Sequence, residues 1–191
     1  MEIKKKEIVR IVLVVLLSMV MSGITAILPI YFAVPKVIYA NSVPTILVSM
    51  SLGPLAGAAY TILVSVVLNN IGIGSGTIIY VLLFQILEAV VIGTCWYKKN
   101  MHIMRYILTV VLLTFLLKPF SYLFYYLFYY LFNRANMGEK SFGSYIMEMY
   151  RNYLSLGWKD TILLYATGIF AAYVIMRGID IITKREREEK K

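Results

Sequence analysis

The stretch VIYANSVPTILVSMSLGPLAGAAYTILVSVVLNN, residues 37–70, decides the fold, because it is largely apolar and is broken by Gly53 and Pro54. It can form one long kinked helix, or two short helices over Val37 to Leu52 and Leu55 to Asn70. Proline breaks the hydrogen-bond ladder of a helix and glycine tolerates unusual dihedrals, which favours a tight turn between two helices. Each half would be about 24 Å long, short but adequate for crossing a membrane.

The positions of the basic residues decide between one kinked helix and two short helices. Lysine and arginine in short loops favour the cytoplasmic side, so the amino terminus, the break at 98–105 and the carboxyl tail are expected in one compartment. A single crossing in residues 37–70 would place that break outside, so two crossings and a cytoplasmic turn at Gly53 are predicted. The three basic clusters are Lys4, Lys5, Lys6 and Arg10; Lys98, Lys99 and Arg105; and Arg177, Lys184, Arg185, Arg187, Lys190 and Lys191.

Composition indicates that lipid is the main solvent of this chain. Of its 191 residues, 60% are apolar and only 15% are charged, which is more apolar than one soluble core requires. We predict a single integral membrane domain over residues 1–191, an all-α membrane protein with six transmembrane helices and both termini in the cytoplasm. The predicted helices are 11–32, 37–52, 55–70, 77–97, 106–132 and 156–182. The loop before the last helix is expected to hold a short interfacial helix.

Several function classes are disfavoured by what the chain contains. The net charge of +9 comes from basic residues that lie beside apolar spans, where lysine and arginine set membrane topology. No nucleic-acid partner is therefore expected. One cysteine and one histidine make an internal disulfide impossible and a metal site improbable. The spans contain no nucleophile paired with a base, so we expect no catalytic residues, no enzyme activity and no cofactor.

Two charged residues, Glu88 and Lys118, fall inside predicted spans. Burial of an ion in lipid costs several kcal/mol, so each needs a partner, a wet cavity or a function. Both lie about 16–20 Å from the outer ends of their helices, so they are able to meet. They are interpreted either as a structural ion pair or as groups that face a ligand, and a substrate that splits the pair would satisfy both interpretations.

A polar stripe extends from Lys118 through Tyr122 and Tyr125 at positions i, i+4 and i+7 of the fifth helix. Aromatic faces and hydroxyls beneath a lysine suit a planar ligand rich in heteroatoms. Gln85 lies one turn from Glu88 and joins this candidate site. Three polar residues near the outer ends of helices complete the predicted substrate-binding set: Asn41, Asn70 and Trp158.

Small residues recur every four positions in the first span, at Ser18, Ser22 and Ala26. Such residues let helices approach closely in lipid. They are interpreted either as packing within the chain or as a docking face for another membrane subunit.

The chain resembles the substrate-binding S components of energy-coupling factor vitamin transporters. The resemblance rests on length, six helices with both ends inside, and the Gly-Pro-Leu-Ala-Gly turn at 53–57 before a helix ending in Asn69-Asn70. It implies high-affinity binding of a vitamin or related micronutrient at a bacterial cell membrane. It also implies docking on a transmembrane coupling subunit driven by two ATP-binding subunits, so that ATP is used by the partners. The alternatives are an ion-coupled secondary transporter or a solitary membrane adaptor.

The same resemblance implies where ligand and partner bind. S components hold their ligand near the outer side among helices four to six, where Gln85, Glu88, Lys118, Tyr122 and Tyr125 fall. Members usually present Ala-x-x-x-Ala to the coupling subunit from the first helix, and this chain has the 18–26 small-residue series there. The Val43-Pro44 pair is similar to the riboflavin-binding branch, with Asn41 where an aspartate often stands.

Overall fold

The computed structural model describes residues 2–31, 42–70, 78–133, 141–152 and 157–188, which form helices joined by turns, without a strand in these ranges. The all-helical prediction is confirmed for them. The helices are α1 (Glu2–Tyr31), α2 (Ser42–Leu52), α3 (Pro54–Asn70), α4 (Ile78–Trp96), α5 (Ile103–Val111), a π-helical segment (Leu112–Leu117), α6 (Lys118–Asn133), α7 (Phe142–Asn152) and α8 (Trp158–Glu188).

The turn predicted at Gly53 and Pro54 is present and separates α2 from α3. Gly53 has φ of 103°, a conformation that other residues rarely adopt, and its amide still donates to the Ser49 carbonyl at 3.0 Å. Pro54 is the first residue of α3, where its missing N–H costs nothing. Residues 42–70 therefore form two helices, and residues 37–41 lie outside the described part.

Helix α2 lies at the centre of the bundle. It packs against α1, α3, α4 and α8. Five consecutive side chains in the second half of this helix are at most 1% exposed: Ile46, Leu47, Val48, Ser49 and Met50. A helix buried on all sides has no polar face, in keeping with the largely apolar sequence of this segment.

The α3–α4 contact depends on glycine. A Cβ added at Gly93 would lie 2.5 Å from the Cα of Pro54, so the two backbones touch directly. Gly57 approaches Ser49 of α2 in a similar way. Where two helix backbones lie this close, short side chains of one helix contact the other helix directly.

Three contacts bring the basic clusters to one end of the bundle, which we name the basic end. Arg10 of α1 forms an ion pair with Asp180 of α8 at 2.9 Å. Arg177 donates to the Asn100 side-chain oxygen at 2.7 Å, in the turn between α4 and α5. Gly53 faces the ring of Tyr97 in that same turn. The start of α1, both turns and the end of α8 thus lie together, as the shared compartment requires; the cytoplasmic assignment stays a prediction.

Three stretches of the described residues are long and apolar enough to cross a membrane: Glu7–Ile24, Ile103–Ser121 and Trp158–Thr183. Their exposed side chains are mainly apolar, as a lipid-facing surface would be. The remaining apolar helices are shorter, and α2 with 11 residues measures about 16 Å. The chain is therefore compatible with membrane insertion, while six crossings remain a prediction.

Helix bounds differ from the predicted ones mainly at charged ends. Helix α1 begins at Glu2 and α8 continues to Glu188, because lysine, arginine and glutamate favour helix as strongly as many apolar residues. A helix, α7, is present in the loop where an interfacial helix was expected. The predicted fifth helix, 106–132, corresponds to α5, the π-helical segment and α6 in succession. The π-helical segment was not predicted.

Candidate binding site within the helix bundle

The centre of the candidate site is Glu88 on α4. The residue is 9% exposed, and it lies at the junction of α4 with α6 and α8. The buried hydroxyl of Tyr165 on α8 donates a hydrogen bond to its Oε1. The Lys118 ammonium on α6 lies 3.9 Å from the same oxygen. The predicted meeting of Glu88 and Lys118 is confirmed.

The electrostatics of this cluster follow from burial. A carboxylate held away from water needs hydrogen-bond donors and a compensating positive charge. Tyr165, which is 0% exposed, supplies the donor, and Lys118 supplies the charge. The Lys118 side chain keeps 28% of its surface exposed, so the cluster is open on the α6 side.

The π-helical segment sets the direction of Lys118. Its amide donates to the Leu113 carbonyl, five residues back, so the helix is one residue wider per turn just before this lysine. Pro119 follows and has no amide hydrogen, which disrupts the regular ladder at the same place. A wider turn changes which residues share a face. Leu113 and Thr114, within the π-helical segment, are both buried, and Lys118 directly after it reaches Glu88 on α4.

An aromatic pair lies beside the charged cluster. Phe84, one turn before Glu88 on α4, meets Phe124 of α6 edge to face, with ring centroids 5.6 Å apart. Phe84 is 6% exposed and Phe124 is 38% exposed. The site therefore combines an apolar wall with two charged groups and a hydroxyl, the composition typical of a small-molecule site.

The Gln85 side chain has a hydrogen-bond partner within the chain. The Ser65 hydroxyl of α3 donates to the Gln85 side-chain oxygen at 3.4 Å. This contact joins α3 to α4 one turn from Glu88, so Gln85 lies beside the cluster as predicted.

Asn70 and Trp158 are the other predicted site residues whose side chains the structure describes, and neither is among the described partners of Glu88. Asn41, and the side chains of Tyr122 and Tyr125, lie outside the described part, although the backbone of both tyrosines is in α6. Asn70 is exposed at the end of α3. Trp158 begins α8, and its ring lies 6.1 Å from that of Phe115, measured between centroids. Seven residues separate Trp158 from Tyr165, about 10 Å along the helix.

Ser18 and Ser22 lie on the side of α1 that faces the rest of the bundle. Ser18 is 0% exposed, and the Ser22 hydroxyl is 2.9 Å from the hydroxyl of Tyr60 on α3. Both residues thus pack within the chain, which is the first of the two interpretations of this series. The side chain of Ala26 lies outside the described part.

Sequence reasoning missed Tyr165 and Ser65. Both are neutral residues in apolar spans, and neither belongs to the polar stripe of the predicted fifth helix or lies near Glu88 in the sequence. The available signal was weak: a tyrosine far from either end of a span cannot serve as an interfacial anchor, so its hydroxyl needs a partner inside the bundle.

Comparison with known proteins adds no functional information. No protein-family model, no curated protein and no solved structure matches this chain. The function therefore has to be argued from the geometry above.

Proposed function

We propose that this chain is the substrate-binding membrane subunit of an energy-coupling factor type importer. It captures a vitamin or related micronutrient from outside the cell and delivers it through a coupling module. The module consists of a transmembrane coupling subunit and two ATP-binding subunits, so ATP hydrolysis belongs to the partners.

The observation that carries this proposal is the cluster of Glu88, Lys118 and Tyr165 inside an otherwise apolar bundle. Charged groups at such depth are expensive and commonly mark a substrate or ion pathway. The exposure of the lysine and the aromatic pair beside it provide access and an apolar wall. These are features of a binding site.

The position of the cluster along α8 also supports uptake from outside. Tyr165 is twelve residues from Arg177 at the basic end, about 18 Å, and about 10 Å from the start of the helix at Trp158. With the basic end in the cytoplasm, as the positive charges favour, the cluster lies nearer the outer face. A ligand would then enter from outside.

The test is purification of the full chain, release of any bound small molecule by denaturation, and its identification by mass spectrometry. Titration calorimetry with that compound is expected to give one tight site per chain without a sodium or proton requirement. Glu88→Gln and Lys118→Ala should weaken binding, whereas Lys98→Ala, exposed at the basic end, should not. A wild-type protein that carries and binds no small molecule would overturn the proposal.

An ion-coupled secondary transporter is the second candidate, because a buried Glu88–Lys118 pair also suits ion coupling. The two candidates differ in what the chain does alone. Proteoliposomes that contain only this chain should show no flux driven by a sodium or proton gradient if it is a binding subunit. Gradient-driven uptake would favour the transporter. If the chain shows neither binding nor flux, a solitary membrane adaptor remains.

A further inference from the structure

We propose that the basic end binds the phosphate headgroup of an anionic phospholipid. The site, which we name the headgroup site, consists of Arg105 of α5, Arg177 of α8 and Asn100 in the turn between α4 and α5. The proposal is independent of the function proposed above, because it concerns the basic end and not the interior of the bundle.

The first step is that arginines from two different helices meet at one residue. The Arg177 Nη2 atom donates to the Asn100 side-chain oxygen at 2.7 Å, and the Arg105 Nη1 atom donates to the Asn100 backbone carbonyl at 2.7 Å. Both acceptors are neutral. The two guanidinium groups therefore repel each other, and an anion bound beside both would offset this repulsion.

The second step is the excess of positive charge around the headgroup site. Among the charged side chains that the structure describes near the basic end, five are basic and two are acidic. They are Glu7, Arg10, Lys98, Lys99, Arg105, Arg177 and Asp180. The carboxylate of Asp180 already forms an ion pair with Arg10 at 2.9 Å. The balance of charge in this part of the chain thus favours an anionic ligand.

The third step is that Arg177 is held in place by the bundle itself. Its guanidinium carbon lies 5.2 Å from the centre of the Tyr173 ring, and its Nε donates to the Tyr173 hydroxyl at 2.9 Å. The Tyr173 ring in turn lies 6.4 Å, between centroids, from the ring of the fully buried Trp96. A side chain that is already ordered loses little freedom when a ligand binds, which increases affinity.

The fourth step is the number of hydrogen-bond donors. A guanidinium group has five N–H donors in a planar fork that matches the oxygens of a phosphate. Within the described part of the chain, Arg177 donates from Nε and Nη2, and Arg105 donates from Nη1. Both side chains are partly exposed. Each arginine therefore has further donors for the oxygens of a headgroup.

The apolar surface next to the arginines favours a lipid over a free phosphate ion. Leu108, one turn from Arg105 on α5, and Val174, one turn from Arg177 on α8, are each more than half exposed. Both residues lie further from the basic end than the arginine of their own helix, where the acyl chains of a bound lipid would run. Basic pockets between membrane helices, bordered by such surface, are typical sites for anionic headgroups.

The test is native mass spectrometry of the full chain in a non-ionic detergent, titrated with phosphatidylglycerol, phosphatidylcholine or inorganic phosphate. The wild type should retain phosphatidylglycerol more strongly than phosphatidylcholine, and inorganic phosphate should compete weakly. Arg105→Gln and Arg177→Gln should each weaken phosphatidylglycerol binding about fivefold. Lys159→Gln removes the same charge at the opposite end of α8, and this control should bind as the wild type does.

Two variants separate a built site from general surface charge. Asn100→Ala leaves the net charge unchanged and removes the acceptor that positions Arg177, so it should weaken phosphatidylglycerol binding about twofold to threefold. Arg177→Lys keeps the charge but loses the planar fork, so it should also bind more weakly. Thermal unfolding in detergent checks that each variant is folded. If Arg177→Gln does not fold, Arg105→Gln and Asn100→Ala decide the question.

Three results would overturn the proposal. The first is equal retention of phosphatidylglycerol and phosphatidylcholine. The second is a loss in Lys159→Gln as large as in Arg105→Gln, or full binding by both Asn100→Ala and Arg177→Lys, which would leave only general surface charge. The third is displacement of phosphatidylglycerol by inorganic phosphate at equal concentration, which would indicate a site for a soluble anion. None of these results bears on the Glu88 cluster, so either proposal can fail alone.

Discussion

The hydrogen bond from Tyr165 to Glu88 leads to a quantitative prediction for Tyr165→Phe. The substitution removes one hydroxyl oxygen from a fully buried position and leaves the ring in place. The carboxylate of Glu88 then retains Lys118 at 3.9 Å, which is too far for a direct hydrogen bond. The variant therefore measures what the Tyr165 donor contributes to a buried carboxylate.

The magnitude follows from the charge of the acceptor. A hydrogen bond to a charged group contributes about 1.5–3 kcal/mol, against about 1 kcal/mol for a neutral pair. Tyr106→Phe is the matched control, because the Tyr106 hydroxyl donates to the neutral carbonyl of Ala166 at 2.8 Å. At about 2–4 °C per kcal/mol, Tyr165→Phe should lower the melting temperature by roughly 3–12 °C and Tyr106→Phe by roughly 2–4 °C.

The assay is thermal unfolding of the purified variants in detergent, followed by the fluorescence of the buried Trp96. A Glu88→Gln background adds a second comparison, because the acceptor becomes neutral and the effect of Tyr165→Phe should fall to that of an ordinary hydrogen bond. The reasoning is refuted if Tyr165→Phe destabilises no more than Tyr106→Phe, or if its effect is unchanged in that background.

Two further predictions concern packing and topology. Gly93→Ala should lower the melting temperature by several degrees despite the better helix propensity of alanine, because its Cβ would meet the α3 backbone. Gly178→Ala is the control: nothing lies within 4 Å of a Cβ added there, so this substitution should be neutral or stabilising. In a chain lacking Cys95, single cysteines at Lys98 and Asn70 should react with a membrane-impermeant thiol reagent from opposite sides of the bilayer. Labelling of both from one side would contradict the proposed topology.

The turn at Gly53 was predictable, because two independent constraints agree there. Glycine and proline permit a tight turn, and the charge clusters require an even number of crossings. Contacts between Arg10 and Asp180 and between Asn100 and Arg177 place these segments at one end of the bundle, while the number of crossings stays a prediction. The π-helical segment was not predictable in the same way, because its residues are all compatible with an ordinary helix.

The candidate site was predictable where a charge within a span, or a polar residue one turn from it such as Gln85, marked the position. The depth of Glu88 and Lys118 in their helices suggested that they meet, and the structure places them together. Tyr165 was not predicted, because the rotation of α8 about its own axis decides whether that hydroxyl faces lipid or Glu88. Packing against the central helix sets this rotation: Gly168, one turn from Tyr165, lies close against Ile46 of α2.

Stability alone explains the Glu88–Lys118 pair poorly. Two charges removed from water lose solvation that their attraction often does not restore, and well-packed apolar replacements are frequently as stable or more so. A pair selected only to hold α4 against α6 would be expected to form a direct hydrogen bond and to exclude water. Here the two atoms are 3.9 Å apart and the lysine keeps 28% of its side-chain surface exposed. The separation and the exposure both agree with the binding role proposed above for this cluster.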